Sequence, residues 1–248
     1  MVTLPTAPGR LGRVGPGRCG SDRSGSSLLG TSVAAVNAPV PVSGIPLAVE
    51  GLRCHYGTFA AVDGVSFAVR AGEKVALLGA NGSGKSTLLR AISGLHEDYQ
   101  GRILVADTTV TPKLARQRCA WVPQRQIPGR FPLLVSELLD SSGNSTAARE
   151  ACESLGLTPL LRRPLSTLSG GQLQRCFLAR ALGSLHDGSR VLLADEPSAA
   201  LDFDGQAEIG RLLAGLDVTA LIATHDRNMA ALCDRRFEMA AGRLREIP

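Results

Sequence analysis

Gly79-Ala80-Asn81-Gly82-Ser83-Gly84-Lys85-Ser86-Thr87 is the stretch on which the fold turns. It follows the apolar run Val75 to Leu78 and opens a helical pattern at Lys85, which makes it a glycine-rich turn between a strand and a helix. Its spacing fits a phosphate-binding loop. Glycines at 79, 82 and 84 let consecutive backbone N–H groups converge on phosphate oxygens, and the helix start adds partial positive charge. In such a loop Lys85 is expected to reach the β- and γ-phosphates of a nucleotide and the Ser86 hydroxyl to ligate Mg²⁺. A strand-to-helix turn without a ligand is the plainer reading. The preceding strand, the full spacing and the Lys-Ser-Thr triplet together weigh against it.

Outward from the loop, short apolar runs of strand type recur at Leu47 to Val49, Val65 to Val69, Ile103 to Val105, Cys119 to Val122, Val191 to Ala194 and Ala220 to Ala223. Helical periodicity lies between the later ones. Strand and helix alternating in this way predict an α/β domain around a largely parallel sheet. No internal repeat is visible, so the chain carries one set of nucleotide motifs. Residues 1–44 are rich in Gly, Pro, Ser and Arg without a sustained period, and are expected to be a disordered extension preceding a domain over 45–248. Ser27 to Ala38 faintly resembles the apolar region of a signal peptide; a flexible tail, or a translation start placed too early, fits better.

Composition excludes several classes. The 248 residues, 44% hydrophobic, suffice for one substantial core. The net charge of +5 is concentrated early: residues 1–47 hold four Arg and one Asp, leaving 23 basic and 21 acidic residues after them. A folded part so close to neutral argues against a nucleic-acid partner. Six scattered Cys (Cys19, Cys54, Cys119, Cys152, Cys176, Cys233) form no zinc-like spacing and read as reduced thiols. No apolar run approaches the roughly 20 residues of a membrane span, so a membrane connection is expected through a partner.

Further chemistry follows from the later strands. Val191-Leu192-Leu193-Ala194 ends in Asp195-Glu196, two carboxylates at the carboxyl edge of a parallel sheet, where ligands bind in open α/β folds. Asp195 suits a Mg²⁺-holding role and Glu196 that of a general base toward an attacking water; the rival reading is an acidic pair capping the next helix. Leu168-Ser169-Gly170-Gly171-Gln172-Leu173-Gln174-Arg175 is a turn leading into an apolar-periodic helix. Ser169 is either a simple N-cap or part of a second anion site at an exposed helix start. Sequence physics alone leaves both open.

Leu-Ser-Gly-Gly-Gln ahead of the Asp-Glu strand resembles the signature of ATP-binding-cassette (ABC) ATPases, and the resemblance covers about residues 47–245 in the family's order. It implies a P-loop NTPase fold of ABC type: a RecA-like core, a short helical subdomain at about 126–180 and an antiparallel β arm. It also implies ATP and Mg²⁺ as cofactors, and a second copy of the chain whose Ser169, Gly170, Gly171 and Gln172 close on the γ-phosphate held by the first. Residue by residue, it assigns Tyr56 to stack on adenine with Val62 beside it, Gln124 to the Mg²⁺ and water position, and His225 to the γ-phosphate. Ser198-Ala199-Ala200-Leu201-Asp202 becomes the loop crossing the dimer interface, and Asn81, Ser83 and Thr87 complete the nucleotide site. Each has a plainer rival: a surface aromatic for Tyr56, a strand-end polar residue for Gln124, a helix-start histidine for His225. His55, His96 and His186 match no motif and read as surface residues.

Trp121-Val122-Pro123-Gln124, Phe131-Pro132-Leu133-Leu134-Val135 and the helix from Gln172 to Leu182 look most like the ATPases of bacterial manganese, zinc and iron importers. The same phrases recur in importers of chelated iron or vitamins. The implied setting is peripheral, on the cytoplasmic face of the cell membrane, with integral-membrane permease subunits as partners and a solute-binding protein reached through them. Two departures stand out. Glu137 to Leu165 is short for that sub-family's helical subdomain, with a Ser/Gly/Asn patch at Ser141 to Thr146, and Ala194 stands where a larger aliphatic residue usually ends the strand. Rival functions are a soluble ABC-type factor acting on ribosomes or DNA, and a regulatory module that has lost hydrolysis, against which the intact Asp195, Glu196 and His225 speak.

Overall fold

A computed structural model describes residues 44–124 and 132–248. The extension expected at 1–44 and the start of the expected helical subdomain, together with Phe131, therefore fall almost wholly outside the described residues. Two sheets organise the rest. A four-stranded antiparallel arm runs β2 (Phe59–Val69), β1 (Leu47–Tyr56), β4 (Tyr99–Val105) and β5 (Thr108–Thr109). A six-stranded sheet runs β10 (Arg243–Ile247), β9 (Arg235–Ala240), β3 (Lys74–Leu78), β8 (Thr219–Ala223), β7 (Val191–Asp195) and β6 (Cys119–Val122), parallel throughout except at the β9–β10 hairpin.

The central strands β3, β8, β7 and β6 are covered on both faces, which explains why they are continuous apolar runs. Because strand side chains alternate, Val191, Leu193, Leu221 and Ala223 face one side and Leu192, Ala194, Ala220 and Ile222 the other. The first set packs on α1 (Lys85–Ile92) through Leu88, Leu89 and Ile92, and beyond it on the arm residues Leu47, Leu52, Val62 and Ile103. The second set packs on helices α3 (Val135–Asp140), α4 (Ser145–Ser154), α5 (Gly170–His186), α6 (Phe203–Gly215) and α7 (Arg227–Ala231). Helix α1 is thus held between two sheets, with its N-terminus at the carboxyl edge of β3. The remaining helix, α2 (Pro112–Arg118), starts on a Thr111 side-chain cap and leads into β6.

The Ser/Gly/Asn patch is a tight corner between α3 and α4. Gly143 adopts φ 89°, and the Asn144 side chain accepts from the Ala147 N–H to cap α4. Helices α4 and α5 approach closely enough that a Cβ on Gly183 would lie 2.7 Å from the Ala148 methyl. Ala194 is fully buried in the same core. The five described cysteines are free, and burial pushes the Cys119 and Cys176 thiols up to about 12, which keeps them unreactive. No described helix is long and apolar enough to cross a membrane.

The β9–β10 hairpin has no counterpart among the strands expected from sequence. Its turn, Ala241 at φ 47° and Gly242 at φ 77°, has the two left-handed residues that a tight hairpin requires. Gly242 donates to the Ser83 carbonyl at 3.0 Å and accepts from the Asp63 N–H at 2.9 Å, tying the phosphate loop to β2.

Candidate functional site

The loop Gly79 to Thr87 sits where β3 ends and α1 begins, and its glycines are fixed by close backbone neighbours. A Cβ on Gly79 (φ 147°) would meet the Met239 carbonyl at 2.3 Å, and one on Gly84 (φ 109°) the Ala61 carbonyl at 2.2 Å. No other residue fits either position. Lys85 is 6% exposed, and its ammonium donates to the Gly79 and Ala80 carbonyls at 2.6 and 3.1 Å, so its charge lies inside the turn.

Around this loop lies a cleft of about 490 Å³ lined by Tyr56, Phe59, Ala61, Asn81, Gly82, Ser83, Gly84, Lys85, Ser86, Thr87, Gln124, Asp195 and Glu196. The end of β7 supplies the two carboxylates. Asp195 is 1% exposed and neither oxygen has a hydrogen bond of normal geometry among the described residues. Burial raises its pKa; the adjacent Ser86 hydroxyl offsets this, the Glu196 charge adds to it, and Arg90 and Lys85 oppose it. Glu196 is 3% exposed and takes φ 50°, a left-handed conformation that a side-chain-bearing residue adopts at a cost. One of its oxygens accepts from the His225 ring, Nδ1 to Oε2 at 2.8 Å, while Oε1 has no described partner. The His225 side chain itself is 70% exposed.

Two adjustments to the sequence expectations follow. Val62 does not line the cleft: it is fully buried and pairs with Cys54 across the arm, while Ala61, one residue earlier and on the opposite face of β2, lies at the cleft. Phe59, which no motif indicated, also lines it; it is the register partner of Tyr56 across a two-residue turn, so both rings stand on one face.

Ser169, Gly170, Gly171, Gln172 and Asp202 are not brought to this cleft. They line a separate groove of about 450 Å³, together with Leu155, Leu160, Arg175 and Leu201. Ser169 caps α5: its hydroxyl oxygen accepts from the Gln172 N–H at 3.2 Å and the Gln172 side chain accepts from the Ser169 N–H at 3.1 Å. That capping box leaves the Ser169 hydroxyl proton free to donate outward. Asp202 caps α6 through Gly205 N–H at 3.0 Å, and Arg175 pairs with Glu208 at 2.8 Å to join the two helices.

A glycine loop at the edge of a parallel sheet, opening a helix and facing a buried Asp-Glu pair, defines a phosphate-loop nucleotide hydrolase. The ABC transporter family pattern matches residues 62–199, and the chain belongs to that family. It is accordingly an ATP-binding protein and an ATPase. Over 225 residues, 80% of this chain and 82% of the relative, it is 33% identical to a phosphonates import ATP-binding protein of Rhodopseudomonas palustris. Over 202 residues, 74% of this chain and 75% of the relative, it is 36% identical to a hemin import ATP-binding protein of Bradyrhizobium diazoefficiens. Among solved structures it resembles a dimeric bacterial ABC transporter cassette, with TM-score 0.72 and 25% identity over 81% of this chain and 97% of that one. Further relatives are named for sn-glycerol-3-phosphate import, manganese transport and zinc import.

Proposed function

We propose that this chain is the ATP-hydrolysing subunit of an ABC importer, working as a pair of copies on the cytoplasmic face of the membrane and driving a permease for a divalent metal ion such as manganese, zinc or iron. The observation that carries the reading is that one chain holds two half-sites apart. Lys85, Ser86, Gln124, Asp195 and Glu196 share the cleft, whereas Ser169 to Gln172 and Asp202 share the distant groove. Two copies related by a two-fold axis would bring each groove over the other's cleft, completing two sites at once. A solute-binding protein would be reached through the permease.

The residues fit Mg²⁺. Ser86, Gln124 and Asp195 offer hard oxygen donors in one cleft, and the buried Asp195 oxygens have no hydrogen bond of normal geometry among the described residues. Bound there with ATP, the ion would neutralise charge on the phosphate oxygens. The rest falls to the chain. The loop N–H groups and Lys85 hold the phosphates, leaving the carbonyls that Lys85 now occupies. Glu196 takes the proton of the attacking water, and His225, bonded to the Glu196 carboxylate, fixes that oxygen's orientation. The Ser169 hydroxyl and the α5 N-terminus of the second copy add donors to the γ-phosphate, and Tyr56 and Phe59 offer faces to the base.

The metal reading rests on the sequence phrases around Gln124 and on the manganese and zinc relatives; the phosphonates and hemin relatives name its competitors. Purification from solubilised membranes, followed by ATPase assays of the reconstituted complex with candidate solutes, tests it. A co-purifying multi-span protein and stimulation by Mn²⁺, Zn²⁺ or Fe²⁺ are expected. Stimulation by a phosphonate or hemin instead would replace the substrate, and ribosomal or nucleic-acid material in place of a membrane protein would overturn the transport reading.

A further inference from the structure

The Tyr56 ring is 50% exposed at the tip of β1, on an arm strand that is not part of the sheet carrying the phosphate loop. A ring in that position needs a support if it is to hold a base at a fixed distance from the phosphates. His96 supplies one: its ring lies 5.2 Å from Tyr56, centroid to centroid, tilted by 48°. His96 is not among the residues lining the cleft, so it meets Tyr56 from outside the binding face. Its Nε2 is buried without a described partner, so packing rather than a polar fastening at that nitrogen holds the ring.

The loop that presents His96 is tied to both α1 and α2. The His96 and Leu95 N–H groups donate to the Arg90 carbonyl at 3.1 and 2.8 Å, closing the C-terminal end of α1. Gly94 adopts φ 74°, and a Cβ there would lie 2.2 Å from the Pro112 carbonyl. Arg116 donates to the Gly94 carbonyl and pairs with Glu97 at 2.9 Å, fastening the same loop to α2. Helix α1 therefore carries the phosphate loop at one end and His96 just past the other.

We infer that His96 is a positioning residue for the nucleotide base: it fixes the Tyr56 ring to helix α1 and so sets the distance from base to phosphates. This rests on the reading of Tyr56 as a base-stacking residue. It assigns a role to a histidine that no motif marks.

The test compares binding of ADP and of inorganic pyrophosphate by the full chain, since the two differ by the adenosine. His96→Ala is expected to weaken ADP severalfold, approaching the roughly tenfold loss expected for removing a stacked aromatic, and to leave pyrophosphate binding unchanged. His96→Phe, which keeps a flat ring, should restore ADP affinity. His96→Ala should add nothing once Tyr56→Ala is present, because the brace acts only through that ring. Three results overturn the inference. His96→Ala could bind ADP as the parent does while Tyr56→Ala is weakened, which removes the brace and keeps the base site. Equal weakening of ADP and pyrophosphate would place the effect in α1 and the phosphate loop. Tyr56→Ala without any change in the ADP-to-pyrophosphate ratio would remove the base site itself, and the brace with it.

Discussion

The cleft around Lys85 and the groove around Ser169 are built on opposite plans. In the cleft, Asp195, Glu196 and Ser83 keep buried oxygens without described partners, Glu196 is held at φ 50°, and two glycines are jammed against carbonyls. In the groove, the Ser169 and Gln172 groups satisfy one another, Asp202 caps its helix, and Arg175 is paired. Unmet polar groups and strain collect where charge must be bound and moved. A surface that acts on the site of another copy, as proposed for the groove, can be satisfied by itself. On the proposed reading, the molecule separates the half that does chemistry from the half that completes the partner's site.

The largest effect expected from breaking this contrast is on turnover. Glu196→Gln keeps the shape of the cleft but removes the base, so hydrolysis should fall by about 10²–10⁴ while ATP still binds and the paired copies stay closed. Hydrolysis at the parental rate in a malachite-green phosphate assay would mean that another group takes the proton.

A sharper test uses both halves. Lys85→Ala and Ser169→Ala, each nearly inactive alone for different reasons, should recover activity when mixed. A mixed pair contains one intact cleft facing one intact groove, so random pairing should return about a quarter of parental turnover. No recovery on mixing would show that the groove does not complete a partner's cleft. Ser169→Ala should still bind ADP as the parent does, at a cost of about 1 kcal/mol in stability for the lost helix cap.

The smallest effect concerns the strain in the cleft. Because burial raises the Asp195 pKa above its ordinary value, the folded state holds its proton more tightly than the unfolded chain. Stability should therefore fall as pH rises from 3.8, the ordinary value, through the raised one, and stay reduced at neutral pH. Asp195→Asn removes that penalty. Its Tm at pH 7, in EDTA and without nucleotide, should exceed the parental one by about 2–4 °C, as about 1 kcal/mol implies for a domain of this size. The gain should vanish at low pH, where the parental carboxyl is protonated. A lower Tm at neutral pH would show that the charge is compensated in the fold.

Much of this was legible in sequence because it depends on local spacing. The phosphate loop, the parallel strands and Asp195-Glu196 announce themselves through apolar runs that end in glycine or carboxylate. The β9–β10 hairpin was hidden by Arg235, Arg236, Arg243 and Arg245, whose charges mask its period, and by an Ala-Gly turn in place of the usual Asn-Gly. Val62 illustrates a different limit. In a strand, a shift of one residue moves a side chain to the other face, so proximity along the chain to a binding position said nothing about which of Ala61 and Val62 faces the cleft. His96 and Phe59 depended on contacts across strands and loops, which no short motif records.

The turn at Ala241-Gly242 looks dispensable: it is short, lies six residues from the end of the sequence and touches none of the cleft's charged groups. Yet Gly242 clips Ser83 to Asp63, and the strand it follows places the Met239 carbonyl against Gly79. The hairpin over residues 235–247 therefore acts as a clasp on the phosphate loop, and a change there reaches the nucleotide site from outside it. A chain cut before Ala241 would keep the Met239 carbonyl against Gly79 but lose the two bonds by which Gly242 holds Ser83 to Asp63.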